Sequence, residues 1–285
     1  MIQSILDNDL YMLTTQQAVL DLYPDALTEY RLINRGRTPF PSGFARALER
    51  AVEDMASLSL SSEESDYLCR SCPFFTPQYL NFLASFRFDP REVIITQEGG
   101  RLDLRIKGPW FRTVLWEVPL LALISEIYFS ITHPPCYSRD EIRAVNRKKV
   151  EKLRDHGAKF MDFGTRRRYS TENHQRLIRD ILDTPGHTLE ATSNAFIAKE
   201  FSIPPVGTMA HEWFMFHAVS AGYSNANTAA LDAWVKVYKD SQDICLTDTY
   251  TTGNFLKGFD SVRARRFKGV RHDSGDPLFF LDQVI

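Results

Sequence analysis

Three consecutive arginines follow a glycine in the middle of the chain, and their side chains are suited to binding phosphate. Arg166, Arg167 and Arg168 come shortly after Gly164, at the end of a short apolar segment. Each guanidinium can donate two parallel hydrogen bonds to a phosphate group. An isolated triplet of this kind is more typical of a solvated basic turn, but its position at the end of a predicted strand favours an anion-binding role.

A histidine stands between another short apolar segment and a predicted helix. His211 and Glu212 follow residues 205–209 after a single alanine, Ala210. Backbone amides at a helix N-terminus attract anions, and Glu212 is placed to orient the imidazole. From its residue type, His211 can act as a base, a metal ligand or a nucleophile, and a packing role is an equal alternative.

Three carboxylates also follow apolar segments. Asp248, Asp273 and Asp276 can hold Mg²⁺ or sugar hydroxyls, although residues 273–276 also have the composition of a plain turn. Arg271 beside them favours a combined anion and metal site. Arginines, carboxylates and one histidine together indicate a phosphorylated substrate. The sequence has no GxGxxG, Walker A or His-x-His pattern, which argues against Rossmann, P-loop and metal-dependent hydrolase sites.

These polar clusters stand at the ends of strands in a regular alternation of predicted strands and helices. The predicted strands are residues 159–163, 189–193, 205–209, 244–247 and 269–272. The predicted helices are residues 172–182, 195–200, 212–220, 228–238 and 254–257. Such alternation indicates a parallel sheet, and in α/β barrels the carboxyl ends of the strands converge on the face that carries the chemistry. We therefore predict that the polar clusters share one anion-holding cavity.

The predicted fold class is α/β, an irregular, partial α/β barrel at residues 113–285 with a smaller N-terminal α+β domain at residues 1–112. The first domain contains helices at residues 6–22 and 44–58, a strand at 27–34, and a hairpin of strands 93–97 and 102–106 around Gly99-Gly100. In the second domain, Ser138 and Glu141 form a capping box, and Gly157 ends that helix. A closed barrel has about eight strands. Only five are predicted before Ile285, so we expect a C-terminally incomplete barrel.

The composition is that of an ordinary globular protein and requires neither a nucleic acid nor a membrane as partner. The 285 residues are 44% hydrophobic and 25% charged, with a formal net charge of -2. The N-terminus is acidic where a signal peptide is basic, and the apolar residues 118–131 are too few to span a bilayer. Cys69 and Cys72 have the spacing of half a zinc site, but Cys136 and Cys245 stand alone, so reduced cytoplasmic thiols are expected.

Six motifs, in this order, resemble those of the nicotinate phosphoribosyltransferase family and, more distantly, the nicotinamide phosphoribosyltransferases. They are DLY at residues 9–11, FGTRRR at 163–168, ATSN at 191–194, GTMAHEW at 207–213, TDTY at 247–250 and GVRHDSGDP at 269–277. The resemblance covers nearly the whole chain. It implies transfer of the phosphoribosyl group of phosphoribosyl pyrophosphate to nicotinate, with ATP as co-substrate and Mg²⁺ as cofactor, in a cytoplasmic homodimer.

The same resemblance implies roles for individual residues. His211 is similar to a histidine that ATP phosphorylates during turnover. Tyr11 and Phe163 resemble an aromatic pair that sandwiches the pyridine ring, with the tyrosine supplied by the partner subunit. Arg271 resembles an arginine of the base and ribose pocket, and Arg167 with its two neighbours resembles the phosphate-binding arginines.

The resemblance also implies the ribose and metal contacts. Asp248 and Asp273 are similar to carboxylates near the ribose and the Mg²⁺-pyrophosphate, and Ser274, Gly275 and Asp276 continue that wall. Amide-using relatives carry a carboxylate where this chain has Ser193. A neutral side chain tolerates a substrate carboxylate that an aspartate would repel, which favours nicotinate over nicotinamide.

Three alternatives stay open at this point. One is nicotinamide as the substrate. A second is an inactive, truncated relative, because the family continues into Gly-rich segments that bind the 5′-phosphate of the ribose and no such segment occurs before Ile285. For that reason we expect the chain by itself to have weak or no activity. The third is an unrelated barrel that acts on another sugar phosphate.

Overall fold

The computed structural model describes residues 1–133 and 137–285, which form two compact units. The first comprises Met1–Leu13 and Asp25–Val206, and the second comprises Thr14–Pro24 and Gly207–Ile285. The helix α1 (Leu10–Leu22) has residues in both. The domain boundary predicted between residues 112 and 113 stays a prediction. Cys136 lies outside the described residues.

An antiparallel sheet lies in the first unit. Its strands β1 (Leu27–Arg31), β2 (Val93–Glu98) and β3 (Arg101–Pro109) are ordered β1-β3-β2. Along β3, buried Leu102, Leu104 and Ile106 alternate with more exposed residues, which gives the sheet one apolar face. The β2–β3 hairpin predicted around Gly99-Gly100 is confirmed, and Gly99 takes the positive φ of 55° that the turn requires.

The described residues of the first unit contain eight further α-helices. They are α2 (Phe44–Met55), α3 (Ser62–Ser71), α4 (Pro77–Ser85), α5 (Trp110–Thr113), α6 (Glu117–Thr132), α7 (Arg139–Asp155), α8 (Thr171–Leu182) and α9 (Ala195–Phe201). The predicted capping box of α7 is confirmed. The Glu141 amide donates to Ser138 Oγ over 3.3 Å, and the Ser138 amide donates to Glu141 Oε2 over 2.8 Å.

The apolar segment at residues 118–131, which was expected to be a buried helix, lies within α6. Residues Trp110–Thr132 are long and apolar enough to cross a membrane by length and composition alone. Half of the apolar window is buried inside the protein, and the core helix of a soluble protein meets the same criteria. In α6, Val118, Leu120 and Leu123 are buried, as expected for a core helix.

A parallel pair of strands in the first unit carries part of the predicted chemistry at its ends. Strands β4 (Phe160–Asp162) and β5 (Leu189–Thr192) pair in parallel, and α8 connects them. They pack over an apolar core of Val150, Ile178, Ile181, Leu189 and Ile197. The strand predicted at residues 205–209 was wrong. Only an isolated bridge between Thr192 and Pro205 occurs there, with the Thr192 amide donating to the Pro204 carbonyl and the Val206 amide to the Thr192 carbonyl, and the first unit ends at Val206.

The second unit contains the other parallel pair, β6 (Ile244–Leu246) with β7 (Gly269–Arg271). Its helices, besides the end of α1, are α10 (His211–Ala221), α11 (Ala226–Tyr238), α12 (Thr252–Gly258), α13 (Ser261–Arg266) and α14 (Pro277–Val284). Trp213 of α10 and Trp234 of α11 are almost fully buried and make an edge contact with ring centroids 5.3 Å apart. The mixed helix and strand content is confirmed. Each unit has one two-stranded parallel ladder among the described residues, so the barrel stays a prediction.

Candidate active site

In the first unit, the predicted aromatic and basic residues follow β4. Phe163 comes directly after the strand and is 41% exposed. The three residues Thr165–Arg167 form a 3₁₀ turn, which brings the first two arginines to the surface. Among the described residues, the Arg167 guanidinium has no hydrogen bond or ion pair. It is therefore open to an anionic ligand.

The other two arginines each form an ion pair within the unit, Arg168 in its interior and Arg166 at its surface. Arg168 is 2% exposed at its side chain and forms a bidentate pair with Asp7, with Nη1–Oδ1 and Nη2–Oδ2 distances of 2.6 and 2.7 Å. Arg166 pairs with Glu117 over 3.2 Å. Burial opposes the charge of Arg166, but nearby Tyr11, Glu117 and Asp9 raise its pKa. Arg168 is therefore buried and occupied by Asp7, and phosphate binding by Arg166 and Arg167 stays a prediction.

Ser193 lies at the end of β5 and is fully buried. Its Oγ donates to Asp9 Oδ1 over 2.7 Å, and Thr165 Oγ1 donates to the same oxygen over 2.8 Å. Burial raises the pKa of the Asp9 carboxyl, against these two hydrogen bonds and the charge of Arg166. The sequence assigned no role to Asp9, although its position in the DLY motif was a usable signal. Tyr11 of the same motif is buried in the first turn of α1.

In the second unit, His211 is the first residue of α10, and residues from two strand ends hold its imidazole. Nδ1 lies 3.0 Å from Thr249 Oγ1, and Nε2 lies 3.1 Å from Asp273 Oδ2. The side chain is 42% exposed. The ring is therefore both oriented and accessible, which is the arrangement that a nucleophile or a base requires. Thr249 was not predicted as a site residue.

Arg271 at the end of β7 connects this imidazole to a wider polar network. Its guanidinium donates to Asp273 and to Thr208 Oγ1, the latter over 2.7 Å. Burial opposes ionisation of Asp273, but the hydrogen bonds and charges of His211 and Arg271 lower the pKa of this carboxyl. Asp273 is thus a carboxylate at neutral pH, and it can only accept hydrogen bonds.

Asp248 supplies the second carboxylate of the cluster. Its Oδ2 accepts from Ser274 Oγ, whereas Oδ1 is buried and has no hydrogen-bond partner among the described residues. The distance from Oδ1 to His211 Nε2 is 3.9 Å. Ligand atoms of His211, Asp248 and Asp273 all lie within 4.8 Å of one another. A buried carboxylate oxygen without a partner fits a cation, and two carboxylates with phosphate oxygens are a usual Mg²⁺ environment.

Two of the residues predicted to line the ribose and Mg²⁺ site have a role in the local backbone structure. Gly275 has a φ of 93°, a conformation that favours glycine. Asp276 caps α14, since its Oδ1 accepts from the amides of Leu278 and Phe279 over 2.8 and 2.9 Å. Their substrate contacts stay predictions, as does the single cavity expected to contain all the clusters.

Two family models match the chain. The nicotinate phosphoribosyltransferase N-terminal domain matches residues 6–125, and the nicotinate phosphoribosyltransferase family matches residues 158–285.

The similarity to other proteins extends over the whole chain. A protein named nicotinate phosphoribosyltransferase from Desulforapulum autotrophicum is 50% identical over 285 residues, which are 100% of this chain and 73% of the relative. One from Chromohalobacter salexigens is 48% identical with the same coverage. This chain thus spans about three quarters of the length of these relatives.

Solved structures of nicotinate phosphoribosyltransferases also match nearly the whole chain. The crystal structure of nicotinate phosphoribosyltransferase from Porphyromonas gingivalis has a TM-score of 0.95 and 40% identity, and the match covers 99% of this chain and 73% of that one. The structure of the Vibrio cholerae enzyme has a TM-score of 0.89 and 28% identity, covering 99% and 68%.

Proposed function

Since the chain belongs to the nicotinate phosphoribosyltransferase family, we propose that it transfers the phosphoribosyl group of phosphoribosyl pyrophosphate to nicotinate. The products are nicotinate mononucleotide and pyrophosphate, a step of NAD biosynthesis. The observation that carries this proposal is 50% identity over the full length of the chain to a relative of that name. The cluster of His211, Asp248 and Asp273 supports it, because the two carboxylates can hold the Mg²⁺ of a phosphorylated substrate beside an accessible imidazole.

The reaction needs positioning and charge stabilisation more than proton transfer. As the bond between C1 of the ribose and the pyrophosphate oxygen loosens, the pyridine nitrogen attacks C1 from the opposite face with its own lone pair. Phe163 offers a ring face for the pyridine, and Arg166 and Arg167 offer positive charge for anionic groups. Asp248 and Asp273 would hold Mg²⁺, which neutralises charge on the leaving pyrophosphate when it is bound.

ATP coupling at His211 is a further part of the proposal, and the hydrogen bonds of the imidazole support it. Because the Asp273 carboxylate only accepts, Nε2 carries the proton that it shares with Asp273, and Nδ1 keeps its lone pair beside the Thr249 hydroxyl. We propose that this lone pair attacks the γ-phosphate of ATP and ADP leaves. The phosphohistidine places new negative charge beside Arg271 and Asp273, which changes the electrostatics of the site. The cytoplasmic location and the homodimer with Tyr11 at its interface are further parts of the proposal, supported by the resemblance alone.

A competition assay tests the substrate. With nicotinate and nicotinamide at equal concentration, together with phosphoribosyl pyrophosphate, ATP and Mg²⁺, the full-length protein is expected to form mainly nicotinate mononucleotide. The physical reason is that the positive charge of Arg166 and Arg167 favours a substrate carboxylate over a neutral amide. The two mononucleotides differ in charge and are separated by ion-exchange chromatography. Formation of mainly nicotinamide mononucleotide would favour nicotinamide as the substrate. Binding of both substrates without product would favour an inactive relative.

The metal assignment predicts a changed Mg²⁺ requirement in the Asp248→Asn variant. Loss of the buried carboxylate is expected to raise the Mg²⁺ concentration for half-maximal rate by about tenfold. Asp282→Asn is the matched control, because Asp282 is exposed in the same unit and outside the cluster. Titration of initial rate against Mg²⁺ measures the effect. An unchanged half-maximal concentration in Asp248→Asn would remove Asp248 from the metal site.

A further inference from the structure

Asp162, the last residue of β4, accepts hydrogen bonds from several parts of the first unit. Its Oδ2 accepts from His174 Nε2 over 2.7 Å and from Thr192 Oγ1 over 2.7 Å. Its Oδ1 accepts from the Gly164 amide over 3.0 Å. The carboxylate therefore joins the end of β4, the end of β5 and helix α8.

These hydrogen bonds hold the residues directly before and after Phe163. Residue 162 before it and residue 164 after it are tied to the same carboxylate, and the Asp162 carbonyl also accepts from the Ser193 amide over 2.8 Å. The Gly164 carbonyl in turn accepts from the Arg167 amide over 3.0 Å. A Cβ at Gly164 would lie 2.9 Å from Asp162 Oδ1, so a larger residue there would displace this carboxylate oxygen. The backbone of Phe163 is thus fixed while its ring remains 41% exposed.

His174 is almost fully buried. Its side chain is 1% exposed, and among the described residues its Nδ1 has no hydrogen-bond partner. The imidazole therefore directs its one side-chain hydrogen bond at Asp162. Burial of Asp162 opposes its ionisation, but the hydrogen bond and charge of His174, the Thr192 hydroxyl and the Gly164 amide together lower the pKa of this carboxyl. Asp162 is accordingly a charged acceptor, and hydrogen bonds to charged acceptors are the strong ones.

We propose that Asp162 and His174 are positioning residues that fix the turn bearing Phe163 and thereby set the affinity for the planar aromatic substrate. This inference deepens the proposed function and rests on it for the identity of that substrate. Neither residue reaches the reacting atoms in the proposed mechanism. They act through Phe163, and loss of the imidazole donor would weaken substrate stacking more than the chemical step.

Three variants of the full-length protein test the proposal. His174→Leu removes the donor to Asp162, and His174→Gln keeps a donor at the position of Nε2. Ile178→Ala is the matched control, because Ile178 is fully buried one turn further along α8, packs in the apolar core and has no side-chain donor for Asp162. KM for nicotinate, KM for phosphoribosyl pyrophosphate and kcat are measured for each. Amide hydrogen exchange of residues 163–167 is measured in parallel.

In His174→Leu, KM for nicotinate is expected to rise about tenfold, while the other two kinetic parameters change far less. His174→Gln should restore most of the affinity. Exchange at residues 163–167 should accelerate in His174→Leu and not in Ile178→Ala. Equal behaviour of the Leu and Gln variants, or the same pattern in Ile178→Ala as in His174→Leu, would overturn the proposal. Exchange does not depend on turnover, so wild-type protein that fails to use nicotinate would refute the proposed function without deciding whether the turn is fixed by this pair.

Discussion

The His211→Asn variant is expected to lose stimulation by ATP, while slow, ATP-independent formation of nicotinate mononucleotide persists. Asparagine preserves a hydrogen-bonding side chain but has no nucleophilic nitrogen for the γ-phosphate. The transfer itself uses the pyridine lone pair, so it does not require the imidazole. The ATP-stimulated rate is expected to fall by about 10²-fold or more, the size typical of losing a group that takes part directly in the chemistry.

The direct measurement is acid-labile phosphate on the protein after incubation with ATP labelled at the γ-phosphate. Wild type should carry the label on His211, and His211→Asn should carry none. Thr249→Val is a useful comparison, because it removes the hydroxyl near Nδ1 but keeps the imidazole and its contact with Asp273. That variant should still be labelled. ATP stimulation that survives in His211→Asn would contradict the role assigned to His211.

Replacing Arg168 with methionine is expected to destabilise the protein by about 3–5 kcal/mol, because it leaves the buried Asp7 carboxylate without its cationic partner. Arg168 donates to both oxygens of Asp7, and Asn194 Nδ2 donates to Oδ1 over 2.8 Å. The asparagine alone cannot compensate a charge in a site that excludes water. The corresponding fall in Tm is on the order of 10 °C for a chain of this size.

The neighbouring residue provides a closely matched control. Arg167→Met makes the same chemical change at an exposed guanidinium that has no ion pair among the described residues, so its effect on the free energy of unfolding should stay within about 0.5 kcal/mol. The double variant Asp7→Asn with Arg168→Met should recover part of the loss, since it removes the uncompensated charge. Denaturant unfolding of the three variants measures these differences. A loss below about 1 kcal/mol in Arg168→Met would show that Asp7 does not depend on this pair.

Local structure was the most predictable part of the fold. The capping box at Ser138 and Glu141 and the hairpin at Gly99-Gly100 depend on residues that are close in sequence, so their signals are contained in a few positions. The errors arose where contacts with residues distant in sequence determine the local structure. Helix α1 was predicted from residue 6 but begins at Leu10, because Asp9 pairs with Asn194 in an isolated bridge instead of joining the helix.

The sequence by itself determined which residue types follow the strands, and through its motifs the family to which they belong. Only the tertiary structure decided which of those side chains are buried and which residues they pair with. Arg167 and Arg168 are chemically identical and adjacent, yet one is exposed and the other is buried against Asp7, which is 161 residues away in sequence. His211 likewise takes its partners from Thr249 and Asp273, 38 and 62 residues further on. Burial and charge pairing depend on distance in space, which periodicity and spacing along the chain do not encode.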